Sequence, residues 1–238
     1  MILMSSPNPG SETTVIIPTL NEEKNIENMI TQLLSYYPGI SVIVADDGSK
    51  DETGTIVSDF HAKNELIRFL DRKDEEIKGL TISLIDALEI TQTRYFVVID
   101  SDFQHPPEKI GEGIKLFDTG SQLIIGTRTS VEGWGLKRKI ISWGATTLGK
   151  ISLFLRRRPR PKDIMSGFFG GQTEYFNTII RNHPKTISPR GYKLLFDILK
   201  VLPRDTQIGE FYYEFQTRQA GESKIGLKHI LVYFRSLF

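Results

Sequence analysis

Over the first 130 or so residues, short runs of Val, Ile and Leu alternate with longer amphipathic stretches, and this alternation restricts the possible folds more than any other feature. The apolar runs occupy residues 14–20 (TVIIPTL), 41–46 (SVIVAD), 66–71, 95–100 (YFVVID) and 123–126. They are continuous rather than alternating in polarity, which is the pattern of strands buried on both faces. Helix-like stretches separate them at 22–35, 51–62, 80–90 and 107–117. Asp51 and the segment 101–107 supply start signals, and Gly39 and Gly120 supply stops. Strands alternating with helices predict βαβ units, hence an α/β fold built on a doubly wound, mostly parallel sheet. A second α/β stretch follows: residues 166–171, helices near 173–181 and 192–201, and a strand near 208–215.

The regions outside this pattern have a different character. Residues 1–12 are polar and contain Pro and Gly, and are expected to form a flexible lead-in to a single domain over 13–223. Residues 133–162 hold nine Lys or Arg and no acid, with Leu136, Ile140, Trp143, Leu148, Ile151 and Phe154 at roughly helical spacing. Residues 224–238 repeat the mixture of basic and bulky apolar side chains and end inside an apolar run at Phe238. Both are expected to be amphipathic segments that lie in a membrane interface. The second is expected to precede transmembrane helices lost by truncation, or to rely on a membrane partner subunit. The formal net charge of +1 gives no global case for a nucleic-acid partner, and none is expected. With no Cys in the chain, disulfides, thiolate metal sites and Cys nucleophiles are excluded.

In an open parallel sheet, ligands bind where the strands end, and this sequence places acids there repeatedly. Glu22 follows the first run, Asp46 and Asp47 end the second, and Asp100 and Asp102 end the fourth, with Gln104 close behind. Two carboxylates one residue apart crowd like charges together unless a cation compensates them. Oxygen ligands of this kind suit Mg²⁺ or Mn²⁺, which commonly bridge carboxylates to substrate phosphates. Asp46 and His105 are read as structural. A dinucleotide fingerprint, a phosphate-binding loop with its Lys, a nucleophile elbow and a His-Glu-x-x-His zinc motif are all absent.

These residues, in their order, resemble the inverting family 2 glycosyltransferases of GT-A fold, and within them the dolichol-phosphate mannose synthases. The landmarks are Ile17-Pro18-Thr19-Leu20-Asn21-Glu22, Asp46-Asp47-Gly48-Ser49, Lys78-Gly79-Leu80, Asp100-Ser101-Asp102-Phe103-Gln104-His105-Pro106-Pro107 and Gly126-Thr127-Arg128. Further landmarks are Arg138-Lys139-Ile140-Ile141-Ser142, Ser166-Gly167-Phe168-Phe169, Gly191-Tyr192-Lys193 and Arg218 ahead of Gly221-Glu222-Ser223-Lys224. The Q-x-x-R-W motif of processive polysaccharide synthases is absent.

By position, the resemblance implies a donor site of Pro18, Leu20, Glu22, Ala45, Asp47, Asp100, Ser101, Asp102, Gln104, Arg218 and Lys224. It implies a metal site of Asp100, Asp102 and Gln104, holding Mg²⁺ or Mn²⁺. Arg128, helped by Arg138 and Ser142, would grip the acceptor phosphate, and Asp100, Asp102 and Arg128 would carry the chemistry. Leu20 stands where the family often has an aromatic residue, and Ala45 where Val is commoner. The implied reaction moves mannose from GDP-mannose to dolichyl or another polyprenyl phosphate, giving a β-linked product and GDP at the cytoplasmic face of a membrane. Alternatives are a UDP-glucose or other nucleotide-sugar donor, a nucleotidyltransferase, and an inactive membrane-docking module.

Overall fold

The computed structural model describes residues 10–131, 136–187, 189 and 193–216, with only the backbone of 131 and 136–142. The lead-in before Gly10 and the segment 224–238 therefore lie outside the described residues.

Seven strands form one sheet: β1 (Thr13–Thr19), β2 (Ser41–Asp46), β3 (Ile67–Asp71), β4 (Tyr95–Val98), β5 (Leu123–Val131), β6 (Phe169–Gln172) and β7 (Ile208–Phe215). Their order is β3-β2-β1-β4-β6-β5-β7. Pairing is parallel throughout except for β6, which runs antiparallel to both β4 and β5. The sequence pattern thus holds for a mostly parallel sheet. The chain winds outward from β1 through β2 to β3 and then returns to β4 on the other side of β1. That reversal makes the carboxyl ends of β1 and β4 the topological switch point, where a crevice opens.

Helices cover both faces of the sheet. On one side α1 (Ile26–Tyr36), α2 (Thr53–Lys63) and α4 (Ile110–Asp118) pack through Met29, Ile30, Leu33, Val57, Ile114 and Phe117. On the other, α3 (Leu80–Glu89), α6 (Thr173–Asn182) and α7 (Leu194–Leu199) pack through Leu84, Leu88, Phe176, Leu195 and Phe196. The central strands are buried from both sides, which explains why β1, β2 and β4 read as unbroken apolar runs.

Several boundaries differ from the sequence reading for local reasons. α1 starts at Ile26 rather than near residue 22, because Glu22 O accepts from both Asn25 N and Ile26 N in a preceding turn. β5 runs on to Val131 rather than stopping at residue 126, since it pairs with β7 through Arg128 and beyond. The register shifts between Arg128 and Ser130, a bulge of the kind that re-aims a side chain. β6 is Gly-rich because it must slot between two neighbours: a Cβ on Gly170 would stand 2.3 Å from Phe96 O on β4.

α5 (Leu136–Leu155) lies within the basic segment 133–162. Gly149 and Leu153 are buried, whereas Trp143, Leu148, Ile151, Phe154 and Leu155 are exposed, Trp143 at 72% and Leu155 at 75%. At about 100° per residue these five fall within roughly 140° of one another, so the exposed face is the apolar one. Arg160 lies over the Phe154 ring, 4.7 Å from its centroid. Among the described residues no helix is long and apolar enough to cross a membrane.

Candidate active site

The end of β1 and the loop after β2 are tied together by side chains. Asn21 takes a left-handed backbone (φ 53°), its N–H donates to Ser49 Oγ, and its Oδ1 accepts from Lys50 N. Glu22 N donates to Thr53 Oγ1, and Glu23 N to Asp51 Oδ2. Pro18 is half-buried and Leu20 exposed at the rim, with Glu22 half-buried beside them. Asp46 is buried and accepts from Thr19 Oγ1, Gly48 N, Ser49 N and Ser49 Oγ, so it closes the turn, as read from the sequence. Ala45 needs correction. It is fully buried among Ile16, Ile43 and their neighbours, so it belongs to the core beneath the donor site and presents no surface to a ligand.

Asp47 is half-buried, and both of its oxygens have partners: Oδ1 takes Arg72 Nη1 at 2.5 Å, and Oδ2 takes Gly79 N at 2.6 Å. Arg72 is 1% exposed and also donates to Asp86 Oδ2, Ser83 Oγ and Ile77 O. Lys78 Nζ donates to Arg72 O. Nothing in the sequence reading pointed to Arg72. Its one signal is a position directly after β3, the strand that runs beside β2.

β4 ends at Val98, so Asp100 and Asp102 stand in the turn beyond the strand rather than on it. Phe103 takes a left-handed backbone (φ 61°), and its buried ring anchors that turn in the core. Asp100 is half-exposed, while Ser101 and Asp102 are buried. Asp102 Oδ1 accepts from Gln104 N, and Gln104 Nε2 donates to Gln216 O. Among the described residues, no group of three or more His, Cys, Asp or Glu side chains is placed to hold a metal, so the acids of this turn stand as a pair. Asp100, Asp102 and Gln104 offer oxygen donors of the type a hard divalent ion takes, and Asp100 is half-exposed.

His105 is structural, as expected. Its ring packs among Phe168, Tyr213 and Phe215, and burial pulls its pKa down to about 3. Nδ1 lies 3.4 Å from Asp100 N. Its 3.4 Å approach to Asp100 Oδ2 is therefore not an ion pair, because the ring is neutral. The ring touches Asp100 on one side and Phe215, over which Arg128 lies, on the other, which puts the β4 turn and the β5 end in one neighbourhood.

Arg128 lies at the β5 bulge, over the Phe215 ring. Its Nε donates to Asp163 Oδ2 at 2.6 Å and its Nη2 to Asp163 Oδ1 at 2.9 Å. Burial would raise the Asp163 pKa, but the Arg128 hydrogen bond and charge override it and hold the carboxyl below its ordinary value. Asp163 Oδ1 also accepts from Met165 N, and Met165 O accepts from Lys193 Nζ. Burial lowers Lys193 to about 8, with Arg128 adding to the shift and Asp100 and Asp163 opposing it. Lys193 and Asp100 line one cavity of about 20 Å³ with Ser166, Gly167 and Leu80. Asp163 was missed by the sequence reading, and Lys193 was noted there without a role. The Arg138 and Ser142 side chains, and all of Arg218 and Lys224, lie outside the described residues.

Residues 14–180 match the family described as glycosyl transferase family 2. A dolichol-phosphate mannosyltransferase of Pyrococcus furiosus is 33% identical over 95% of this chain, which spans 63% of that relative's length. The enzyme of the same name from Saccharomyces cerevisiae is 30% identical over 95% of this chain and 85% of its own. A solved structure of glucosyl-3-phosphoglycerate synthase from Mycobacterium tuberculosis, with Mn²⁺, UDP and phosphoglyceric acid, superposes with a TM-score of 0.67. It covers 94% of this chain and 78% of that one at 20% identity, a likeness of fold. The strand-end acids, the reversal of strand order beside them and the match over 14–180 therefore agree: the chain belongs to glycosyl transferase family 2, is similar to the dolichol-phosphate mannosyltransferases, and has the GT-A type of fold.

Proposed function

We propose that the chain transfers mannose from GDP-mannose to dolichyl or another polyprenyl phosphate, releasing GDP and inverting the anomeric centre. One observation carries this reading. Asp100 approaches the His105 ring, that ring packs on Phe215, and Arg128 lies over the same Phe215 ring, which supports a leaving-group site and a cationic seat side by side. The relatives named for this activity support it.

The acceptor is a phosphate monoester with a second pKa of about 6, so it is largely anionic at neutrality and needs no strong general base. One of its oxygens attacks the sugar C1 as the bond from C1 to the diphosphate oxygen breaks, and the bonding electrons leave with GDP. Attack opposite the leaving group converts the α-linked donor into a β-linked product. Arg128 receives the acceptor phosphate, for which a planar guanidinium is better matched than an ammonium. Asp100, Asp102 and Gln104 would hold Mg²⁺ or Mn²⁺, which when bound supplies positive charge to the departing diphosphate. Pro18, Leu20, Glu22 and Asp47 would frame the nucleoside, and Asp47 is held in place by Arg72. The resemblance would give Arg218 and Lys224, outside the described residues, the role of cationic donors to the diphosphate.

A second reading changes only the donor. The structurally similar synthase was solved with UDP, and an aspartate at position 47 can accept from N–H groups of uracil as well as guanine. Incubation with a panel of nucleotide sugars, geranyl phosphate and Mn²⁺, with products identified by mass, separates the two. We expect mannosyl geranyl phosphate and GDP. A preference for UDP-glucose would replace the donor assignment, and pyrophosphate release would mark a nucleotidyltransferase instead.

The lipid acceptor requires contact with a membrane surface, and the exposed apolar face of α5, flanked by Arg156, Arg157 and Arg160, is suited to it. Burying each large apolar side chain contributes about 1.5–3 kcal/mol, so Phe154→Asp with Leu155→Asp is expected to weaken binding to anionic phospholipid vesicles at least about tenfold. Vesicle co-sedimentation measures this, and unchanged binding would remove α5 from the membrane surface.

A further inference from the structure

The end of β7 joins the two halves of the crevice through one aromatic side chain. Along this strand Gly209, Phe211, Tyr213 and Phe215 are buried while the residues between them are more open. Tyr213 and Phe215 therefore share one face of the sheet. Arg128 stands in register with Tyr213 on the neighbouring β5. Its guanidinium carbon lies over the Phe215 ring, 5.6 Å from the centroid. Phe215 is 7% exposed, so this contact is largely shielded from water.

The turn that carries the acids grips the same strand end. Gln216 N donates to Gln104 O at 3.1 Å, and Gln104 Nε2 donates to Gln216 O at 3.3 Å. This reciprocal pair brings the next residue of the turn, His105, against the preceding residue of the strand, Phe215. Their ring centroids are 5.5 Å apart and their planes 72° apart. Edge-to-face pairs of this kind are directional as well as apolar. The His105 ring has little room to shift, because a Cβ on Gly167 would stand 3.1 Å from its Cε1. A continuous stack thus runs from the acid turn through His105 and Phe215 to the guanidinium at the β5 bulge.

An aliphatic side chain at the end of β7 would fill the core equally well. A ring adds a face of negative potential, which attracts a cation to a set place above it. We propose that Phe215 is a positioning residue for Arg128: its ring face seats the guanidinium, and its grip by His105 and the Gln104–Gln216 pair fixes that seat relative to the Asp100–Asp102 turn. This inference rests on the proposed function, in which Arg128 receives the acceptor phosphate. It adds a residue that touches neither substrate and yet registers the acceptor group against the donor turn.

The test uses the full chain with GDP-mannose, geranyl phosphate and Mn²⁺. Phe215→Leu keeps apolar contact and removes the ring face. Loss of a shielded cation–ring contact corresponds to a factor of about three to thirty, so KM for geranyl phosphate is expected to rise at least about threefold while KM for GDP-mannose moves less than about twofold. Phe215→Tyr, which keeps the ring, should leave both values within about twofold of the wild type. Equal rises of the acceptor KM in the two variants, or a matching rise in the donor KM, would assign Phe215 a merely structural role and overturn the inference.

If Phe215→Leu does not fold, fluorinated phenylalanines placed at position 215 give the answer. One, two and then three ring fluorines keep the shape of the side chain and progressively withdraw the negative potential of its face. The acceptor KM should climb along this series, and a flat series overturns the inference. A wild-type chain that transfers no sugar to geranyl phosphate defeats the proposed function and the inference with it. Transfer by the wild type together with an unaltered acceptor KM in Phe215→Leu defeats the inference alone.

Discussion

Asp102→Ala is expected to lower mannose transfer by about a thousandfold or more, the scale seen when a principal electrostatic contact to a developing charge is removed. The diphosphate gains charge as the sugar leaves, and Asp102 belongs to the acid pair proposed to hold the compensating cation. Asp102 Oδ1 also accepts from Gln104 N, so the alanine loosens the turn as well as removing charge. Asp102→Asn separates the two effects, because an amide oxygen can keep the Gln104 bond while the carboxylate charge is gone. Both variants should lose transfer and, in calorimetric titrations with Mn²⁺, lose metal binding. The asparagine variant should keep the wild-type melting temperature. If either retained full activity in Mn²⁺, the metal assignment would fail.

Arg72→Met is expected to have the largest effect on stability. The guanidinium is buried and satisfies Asp47, Asp86, Ser83 Oγ and Ile77 O together. Removing one partner of a buried ion pair typically costs about 3–5 kcal/mol, because the other charge is left uncompensated. For a chain of this size that corresponds to a melting temperature lower by roughly 10 °C. Asp47 would also lose the contact that aims it, so donor affinity should fall with stability. Adding Asp47→Asn and Asp86→Asn to Arg72→Met should recover part of the stability and none of the donor affinity. Thermal melts and calorimetric GDP titrations of the two variants check this, and a single variant that melts like the wild type would show that the buried array is dispensable.

How far the fold could be read in advance depended on what each segment packs against. β2 and β7 match their predicted spans, because Ser41–Asp46 and Ile208–Phe215 carry apolar side chains bounded by polar ones. The second half of β5 was missed because Arg128, Thr129 and Ser130 are polar, and only their pairing with β7 makes them a strand. The antiparallel direction of β6 left no mark in Phe169-Gly170-Gly171-Gln172, which has too few side chains to show a period. The acids of the site were legible because strand ends punctuate the apolar runs. Their partners were not: Arg72 is 25 residues from Asp47 and Asp163 is 35 from Arg128, and only the folded sheet brings each pair together.

The antiparallel β6 also sets a dimension. It lies between β4, whose turn carries Asp100 and Asp102, and β5, which carries Arg128. With neighbouring strands about 4.8 Å apart, backbone hydrogen bonding places those two strands roughly 10 Å from each other. Gly170 leaves no room for a side chain against Phe96 O, so β6 packs closely on β4. It therefore works as a fixed gauge bar between the two halves of the crevice. Side chains on either half can be exchanged without altering the distance between β4 and β5.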